Sequence, residues 1–526
     1  VVGHGSDVGS NLAALVRRAA ERDPDHPALI AGGTVLRWGE LDAAVDRAAA
    51  ALRGLGLVPG DRVALQLGNT LDFPVLYFGT LRAGLVAVPA NTGYTRPELS
   101  HLLADAAASA LVTSSVASIE AAAELRAAVP TLAHVLVAAP SGPDGTRSLP
   151  ALLAAAAAKL PDQPADGPAD GPGRGGEDLA VLMYTSGTSG RPRGAMLSHR
   201  ALLANLEQLA AIRPAVVTGA DVLLLALPLF HVYGLNPGLG MLALTGATGV
   251  LVERFDPAET LALLARHRVT NLPAAPAMYA AWAELPDFAD AFGTVRLALS
   301  GAAPLPAETL ARFAAAGVPV YEGYGLSEAA PVLTSTLIGG ATKPGSVGRP
   351  IPGVELELRD EDGQPVADED DDPGEIAVRG ANLFSGYWPD GTGGPDRDGW
   401  YGTGDVAYAD DDGDLHLVDR RQELILVNGF NVYPAEVEAV LAGHPAVAEA
   451  AVIGVPDRRT GEGVRAYVVR VAGAELTADE LLHWAGGALA RFKLPGSVEF
   501  VPALPHSATG KVSKARLREA SAPTAR

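Results

Sequence analysis

A chain of 526 residues is too long for one compact core, so one large composite domain with one or two smaller units is expected. Its 48% hydrophobic and 19% charged residues exclude wholesale disorder, and the absence of cysteine excludes disulfides, thiolate metal sites and a cysteine nucleophile. A net charge of -21 argues against nucleic-acid binding, which rests on many cation–phosphate contacts.

No basic stretch leading into an apolar core and cleavage site opens the sequence, so no signal peptide is expected. The lack of cysteine fits a reducing cytoplasm. In the N-terminal part, apolar strand-like runs at 62–67, 85–89, 110–113 and 135–138 alternate with helical patterns such as 41–55 and 97–108. That alternation predicts parallel sheets covered by helices, an α/β class. Residues 161–176 carry Pro, Gly and Asp with almost nothing to bury and read as a surface loop. The uncharged stretch 222–252 is long enough to span a bilayer, but Pro228, His231, Asn236, Pro237 and five glycines interrupt it. A buried strand, a turn and a packed helix fit it better. After about residue 419 short strand patterns (451–455, 465–471, 498–501) flank helices at 434–441 and 478–492, the texture of a small α+β domain.

An apolar strand at 179–183 leads into Tyr184-Thr185-Ser186-Gly187-Thr188-Ser189-Gly190, continues through Arg193 and Gly194, and is followed by a helical run from His199. Glycines let backbone amides turn inward and the hydroxyls add donors, a suitable lining for a triphosphate. An ordinary polar turn is the bland alternative. It is not a Walker loop, because no Gly-Lys-Ser/Thr follows at the required spacing.

This loop resembles the phosphate-binding signature of the adenylate-forming (AMP-binding) superfamily, which contains acyl-CoA synthetases, luciferases and peptide-synthetase adenylation domains. Further motifs follow in that family's order. Pro228-Leu229-Phe230-His231-Val232-Tyr233-Gly234 is similar to its acyl-pocket motif. Ser300-Gly301-Ala302-Ala303-Pro304 and Gly323-Tyr324-Gly325-Leu326-Ser327-Glu328 resemble its adenine and metal motifs. Tyr401-Gly402-Thr403-Gly404-Asp405 resembles its ribose motif, residues 419–438 its hinge and following loop, and the run from Pro505 to Lys511 its C-terminal lysine motif.

The resemblance implies a large N-terminal adenylation domain, 1–419, of parallel-sheet α/β subdomains plus a distorted barrel-like β subdomain. A small mobile α+β domain, 420–526, would carry the lysine. It implies ATP, Mg2+ and coenzyme A as reactants and cofactors, with no integral membrane segment, no nucleic acid, and a homodimer left open. Glu328 would bind Mg2+ with Thr185, a hard oxygen donor set suited to that ion; a solvated surface carboxylate is the alternative for a lone Glu. Tyr324 would stack on adenine or pack in the core, and Gly301, Ala302, Ala303, Gly323, Gly325, Leu326 and Ser327 would surround the nucleotide with the 185–190 loop and Arg193. Asp405 would accept the ribose hydroxyls beside Arg420. His231, Val232, Tyr233, Gly234, Gly301 and Gly323 would line the acyl pocket; a core histidine satisfied by backbone competes for His231. Gly429 and Phe430 would meet CoA, Gln422 would be the hinge, and Lys511 would neutralise charge developing on the α-phosphate and carboxylate, worth roughly 10²- to 10³-fold in rate. The sequence departs from the family in Arg193, where lysine is common, and Gln422, where Asp or Lys is usual.

A carboxylate would attack the α-phosphate of ATP, and a thiol would then attack the mixed anhydride. Neither step needs a protein nucleophile, which suits a chain without cysteine. The absence of Lys and Arg in 222–252 argues against a dicarboxylate, and 428–434 is most similar to fatty acyl-CoA synthetases, so a medium- or long-chain fatty acid is expected. An aryl acid of the coumarate kind is the runner-up. Loading a carrier protein would need a separate partner. A serine hydrolase is disfavoured because Gly325-Leu326-Ser327-Glu328-Ala329 lacks the last glycine of a nucleophile elbow, and a non-catalytic regulator because both Lys511 and Glu328 are present.

Overall fold

The computed structural model describes residues 10–158, 174–185, 192–340, 342–360, 362–366, 373–420, 425–427, 430–432, 434–457, 461–489, 491–506 and 511–521. They fall into two compact units, one built from the described residues of 10–185, 192–355 and 379–401, the other from those of 356–378 and 402–521.

The first unit holds two sheets. One orders its strands Arg147–Ser148, His134–Val137, Ala110–Thr113, Arg62–Gln66, Val86–Pro89, Leu179–Thr185 and Arg193–Ser198, parallel throughout except the final antiparallel pair. Its interior strands are buried on both faces, as their unbroken apolar runs require. The other runs from Thr34–Arg37 through Pro27–Ala31, Thr248–Leu251, Val222–Leu225, Asn271–Ala274, Leu297–Ser300, Val320–Gly325 and Val332–Ser335 to Ser346–Pro350. Its five central pairings are parallel and the outer ones antiparallel.

Local chemistry sets the element ends. The helix Arg96–Asp105 starts in a capping box in which the Glu98 carboxylate accepts from the Thr95 amide at 2.8 Å and hydroxyl at 2.7 Å. The helix Trp38–Gly54 buries Leu41, Ala44, Val45, Ala48, Ala49 and Leu52, a three-and-four spacing that gives one apolar stripe. Stretch 222–252 resolves into a strand, a π-helical turn Gly234–Gly240 containing Pro237, a short helix Met241–Thr245 and a strand Thr248–Leu251. No helix among the described residues is long and apolar enough to cross a membrane.

In the second unit the part of Trp400–Ala409 from residue 402 onward pairs antiparallel with Leu415–Arg420, with Asp405 opposite Arg420. The barrel-like subdomain expected from the resemblance is not a closed barrel: the strands form an open path whose first member is Val354–Arg359. The C-terminal part orders Phe430–Val432, Ile425–Val427, Gly461–Arg470 and Val447–Asp457, with Ser497–Phe500 parallel beside Gly461–Arg470. Helices Pro434–Ala442 and Ala478–Ala485 complete its core through Val437, Leu441 and Leu481. The helix expected over 478–492 stops at Ala485, before Gly486 and Gly487, which carry no side chain to hold a further turn. The loop expected at 161–176 lies almost wholly outside the described residues.

Candidate active site

The apolar strand expected before the candidate phosphate loop and the helical run expected from His199 are both present, and a second strand, Arg193–Ser198, lies between them. Leu179–Thr185 pairs antiparallel with Arg193–Ser198, Thr185 stands opposite Arg193, and the helix His199–Ala211 begins only afterwards. Ser186, Gly187, Thr188, Ser189 and Gly190 lie outside the described residues. The hairpin is strapped from below. The Tyr184 hydroxyl donates to Asp105 Oδ2 at 2.5 Å, Trp388 Nε1 donates to the Asp105 carbonyl at 2.9 Å, and the Arg62 guanidinium lies 5.6 Å from the Trp388 ring centre.

Ser300 ends one parallel strand and is in register with Glu322 on the next. Chain reversal after Ser300 puts Ala302 at φ +73, the left-handed region unfavourable for a residue with a Cβ, with Ala303 following. Gly323, Tyr324 and Gly325 continue the neighbouring strand. A Cβ at Gly325 would sit 2.0 Å from the Pro331 carbonyl oxygen, so only glycine allows the close approach sealed by the Leu326 amide donating to that oxygen at 3.0 Å. Tyr324 is 9% exposed. Ser327, Glu328 and Ala329 form a 3₁₀ turn, and Glu328 is buried at 8% exposure.

A carboxylate this buried must be held. The Tyr387 hydroxyl donates to Glu328 Oε1 at 2.7 Å, and the Phe384 amide donates to the Glu328 carbonyl at 2.8 Å. Burial and the facing Glu328 carboxylate push the Tyr387 phenol up to about 12, which keeps it a donor. The Arg193 guanidinium lies 3.7 Å from the Tyr387 ring centre, so Arg193, Tyr387 and Glu328 form one connected group. Among the described residues a protein donor engages one oxygen of this hard carboxylate, which suits Mg2+, and Glu328 fits the expected cation on that donor chemistry.

In the acyl motif, Asn69 braces the approach: its Nδ2 donates to the Leu225 and Leu227 carbonyls at 3.0 and 2.8 Å, and its Oδ1 accepts the Leu229 amide at 2.9 Å. His231 Nδ1 accepts the Tyr233 amide at 3.3 Å, which leaves the proton of the neutral ring on Nε2. Val232 is buried, and Gly234 opens the π-helical turn. Tyr233 lies against Gly301, and burial raises its phenol above the ordinary range. Its hydroxyl reaches the Leu299 carbonyl at 3.4 Å, a carbonyl that Tyr279 also approaches at 3.0 Å.

In the second unit the Asp405 amide donates to Thr403 Oγ1 at 3.1 Å, and Asp405 and Arg420 are cross-strand partners. Lys511 is exposed, next to a bridge between His506 and Val512. Gln422 and Gly429 lie outside the described residues, and Phe430 is described as backbone in the strand Phe430–Val432.

The family profile described as AMP-binding enzyme matches residues 16–388, and that described as AMP-binding enzyme C-terminal domain matches 436–511. The chain belongs to the AMP-binding enzyme family. It is 39% identical to a feruloyl-CoA synthase of Amycolatopsis sp over 95% of this chain and 97% of that protein. It is 35% identical to a long-chain-fatty-acid–CoA ligase of Bacillus subtilis strain 168, over 97% of this chain and 94% of that protein. The crystal structure of ATP-bound MatB from Rhodopseudomonas palustris matches with a TM-score of 0.86 and 37% identity, covering 97% of this chain and 98% of that one. The chain is thus an enzyme of the acid–thiol ligase class, a class that uses ATP, Mg2+ and CoA.

Sequence reading missed Tyr387, Asn69 and Glu322. A Gly-Tyr-Trp-Pro turn at 386–389, with two rings beside a glycine and a proline, is the signal that could have drawn attention to Tyr387.

Proposed function

We propose that this enzyme activates a monocarboxylic acid with an uncharged tail, first among them a medium- or long-chain fatty acid, to an acyl-adenylate and then to the acyl-CoA. The observation that carries the reading is the nearly buried Glu328 carboxylate, held through one oxygen by Tyr387 in the unit that also bears the phosphate hairpin and the Tyr233–Gly301 wall. Thr185, the 186–190 loop and Arg193 receive the triphosphate. Gly301, Ala302, Ala303 and the 323–327 run surround the adenine, while Asp405 and Arg420 take the ribose. Glu328, with Thr185, would hold Mg2+, which supplies charge neutralisation on the phosphate oxygens.

The acid then needs only position and charge. Its carboxylate oxygen attacks the α-phosphate and pyrophosphate leaves; the CoA thiol next attacks the acyl carbon and AMP leaves. Lys511 neutralises the first transition state. Residues 420–526 turn about Gln422 between the two steps to bring Gly429 and Phe430 to the thiol. The fatty-acid assignment is supported by the uncharged stretch 222–252 and by the apolar cluster of Met278, Tyr279, Trp282 and Phe313 against which Tyr233 packs.

An aryl acid is the second reading, favoured by the flat phenol of Tyr233 beside Gly301, a wall suited to an aromatic ring. The test is ATP-dependent AMP formation, with and without CoA, across matched fatty and aryl acids. CoA-stimulated AMP release with one acid class is expected. Failure to exchange labelled pyrophosphate into ATP with every carboxylate offered would overturn the activity.

A further inference from the structure

We infer that Tyr387 is a positioning residue that orients the Glu328 carboxylate toward the divalent cation, and that Arg193 acts through Tyr387 by stacking on its ring. The inference rests on the reading of Glu328 as the cation ligand given above.

Three bonds tie the Glu328 turn to one segment. The Tyr387 hydroxyl holds Oε1 at 2.7 Å, the Phe384 amide holds the Glu328 carbonyl at 2.8 Å, and Asn382 Nδ2 holds the Ala329 carbonyl at 2.8 Å. That segment is itself fixed to the second strand of the phosphate hairpin. The Met196 amide donates to the Gly386 carbonyl at 3.0 Å, the Ser385 amide to the Met196 carbonyl at 2.9 Å and the Trp388 amide to the Gly194 carbonyl at 2.8 Å. The Tyr387 ring meets Phe384 edge-on at 5.1 Å, and the Arg193 guanidinium lies over it. With Oε1 engaged by a neutral donor, Oε2 is the oxygen left to bind a cation, and the carboxylate plane is set before the cation arrives. Hydrogen bonds of this kind to metal ligands commonly change metal affinity about 10- to 100-fold.

Arginine rather than lysine at 193 fits this arrangement. A planar guanidinium stacks on an aromatic face, whereas a compact ammonium on a flexible stem covers it less and is more strongly hydrated. Arg193 then reaches the cation site by steadying the ring whose hydroxyl holds Glu328.

The test uses full-length protein carrying Tyr387→Phe, Arg193→Lys or both. Phenylalanine keeps the ring contacts with Phe384 and Arg193 and removes only the hydroxyl. Free Mg2+ needed for half-maximal pyrophosphate exchange is measured at saturating ATP. Mn2+ binding in the presence of an α,β-methylene ATP analogue is followed by EPR. Tyr387→Phe is expected to raise both concentrations about tenfold or more, with the KM for acid within about twofold. Unaltered Mg2+ dependence and Mn2+ affinity in that variant overturn the proposal. Arg193→Lys is expected to move the same two readouts less, and the double variant to behave like Tyr387→Phe alone. Unchanged Mg2+ dependence and Mn2+ affinity in Arg193→Lys instead overturn the role given to Arg193 through Tyr387. Wild-type protein whose Mn2+ affinity is weakened by Tyr387→Phe yet exchanges no pyrophosphate would refute the ligase activity while leaving this inference standing.

Discussion

The ring of Tyr233 lies across the bare Cα of Gly301, so that a Cβ added there would stand 3.2 Å from Cε1 and 3.3 Å from Cζ of the tyrosine. Two elements far apart in sequence thus meet at a wall where a methyl group would fit only if the tyrosine ring gave way by a few tenths of an ångström. Tyr233→Ala is expected to open this wall and raise kcat/KM for long acids relative to short aryl acids by about tenfold, the scale on which apolar pockets discriminate. Gly301→Ala is expected to press on the tyrosine and lower kcat/KM for every acid. Steady-state kinetics over the acid panel checks both, and an unchanged ratio in Tyr233→Ala would remove Tyr233 from the pocket.

Lys511 is expected to serve only adenylate formation. Lys511→Ala should lower ATP-dependent pyrophosphate release by about 10²- to 10³-fold while leaving thioester formation from a supplied acyl-adenylate largely intact. Single-turnover measurement of each half-reaction tests it, and equal loss in both contradicts the division of labour.

Glu322, 6% exposed, accepts the Leu305 amide at 3.0 Å, and burial pushes its carboxyl up to about 7 against that opposing hydrogen bond. The folded chain then holds this proton across a range in which the unfolded chain has released it, from about 4.5 to 7. Its contribution is full below 4.5 and is lost as pH rises through about 7. Glu322→Gln keeps an acceptor for Leu305 and cannot ionise, so it is expected to be more stable than wild type at pH 8 by roughly 1–3 kcal/mol, and no more stable at pH 4.5. Thermal midpoints of the two proteins against pH measure this; parallel curves would refute it.

His199 has the opposite sign. It is 1% exposed, its Nδ1 accepts the Leu12 amide at 3.1 Å, and burial lowers it to about 4. The unfolded chain takes up a proton here before the folded one does. Stability from this group is full above about 6.5 and falls as pH drops through about 4. His199→Asn, whose Oδ1 can take the place of Nδ1, is expected to flatten the acid limb between those values. An acid limb as steep as that of wild type would show that other groups set it.

What the sequence discloses follows the range of the forces involved. Strands such as Ala110–Thr113 and helices such as Arg96–Asp105 are legible because apolar runs, spacing and a Thr-Arg-Pro-Glu start are local signals. The hairpin strand Arg193–Ser198 is not, since Gly-Ala-Met-Leu-Ser has no strict alternation and only pairing with Leu179–Thr185 defines it. Glu328, Tyr233 and Gly301 are singled out by motif, but the pairing of Glu328 with Tyr387 and the bracing by Asn69 are not. Tyr387 is 59 residues from Glu328, and Asn69 is 156 residues from Leu225. Such pairs come together only through tertiary packing.

The cross-strand pairing of Thr185 with Arg193 has a consequence for how the stretch proposed to bind phosphate can vary. A segment whose two ends are fixed opposite one another on a sheet has already lost most of the translational freedom it could lose, and closing it costs only an entropy that grows slowly with length. Residues between the anchors can therefore be exchanged with the fold left standing, whereas a change that shifts the register of either strand by one residue would turn every side chain of that strand to the other face of the sheet.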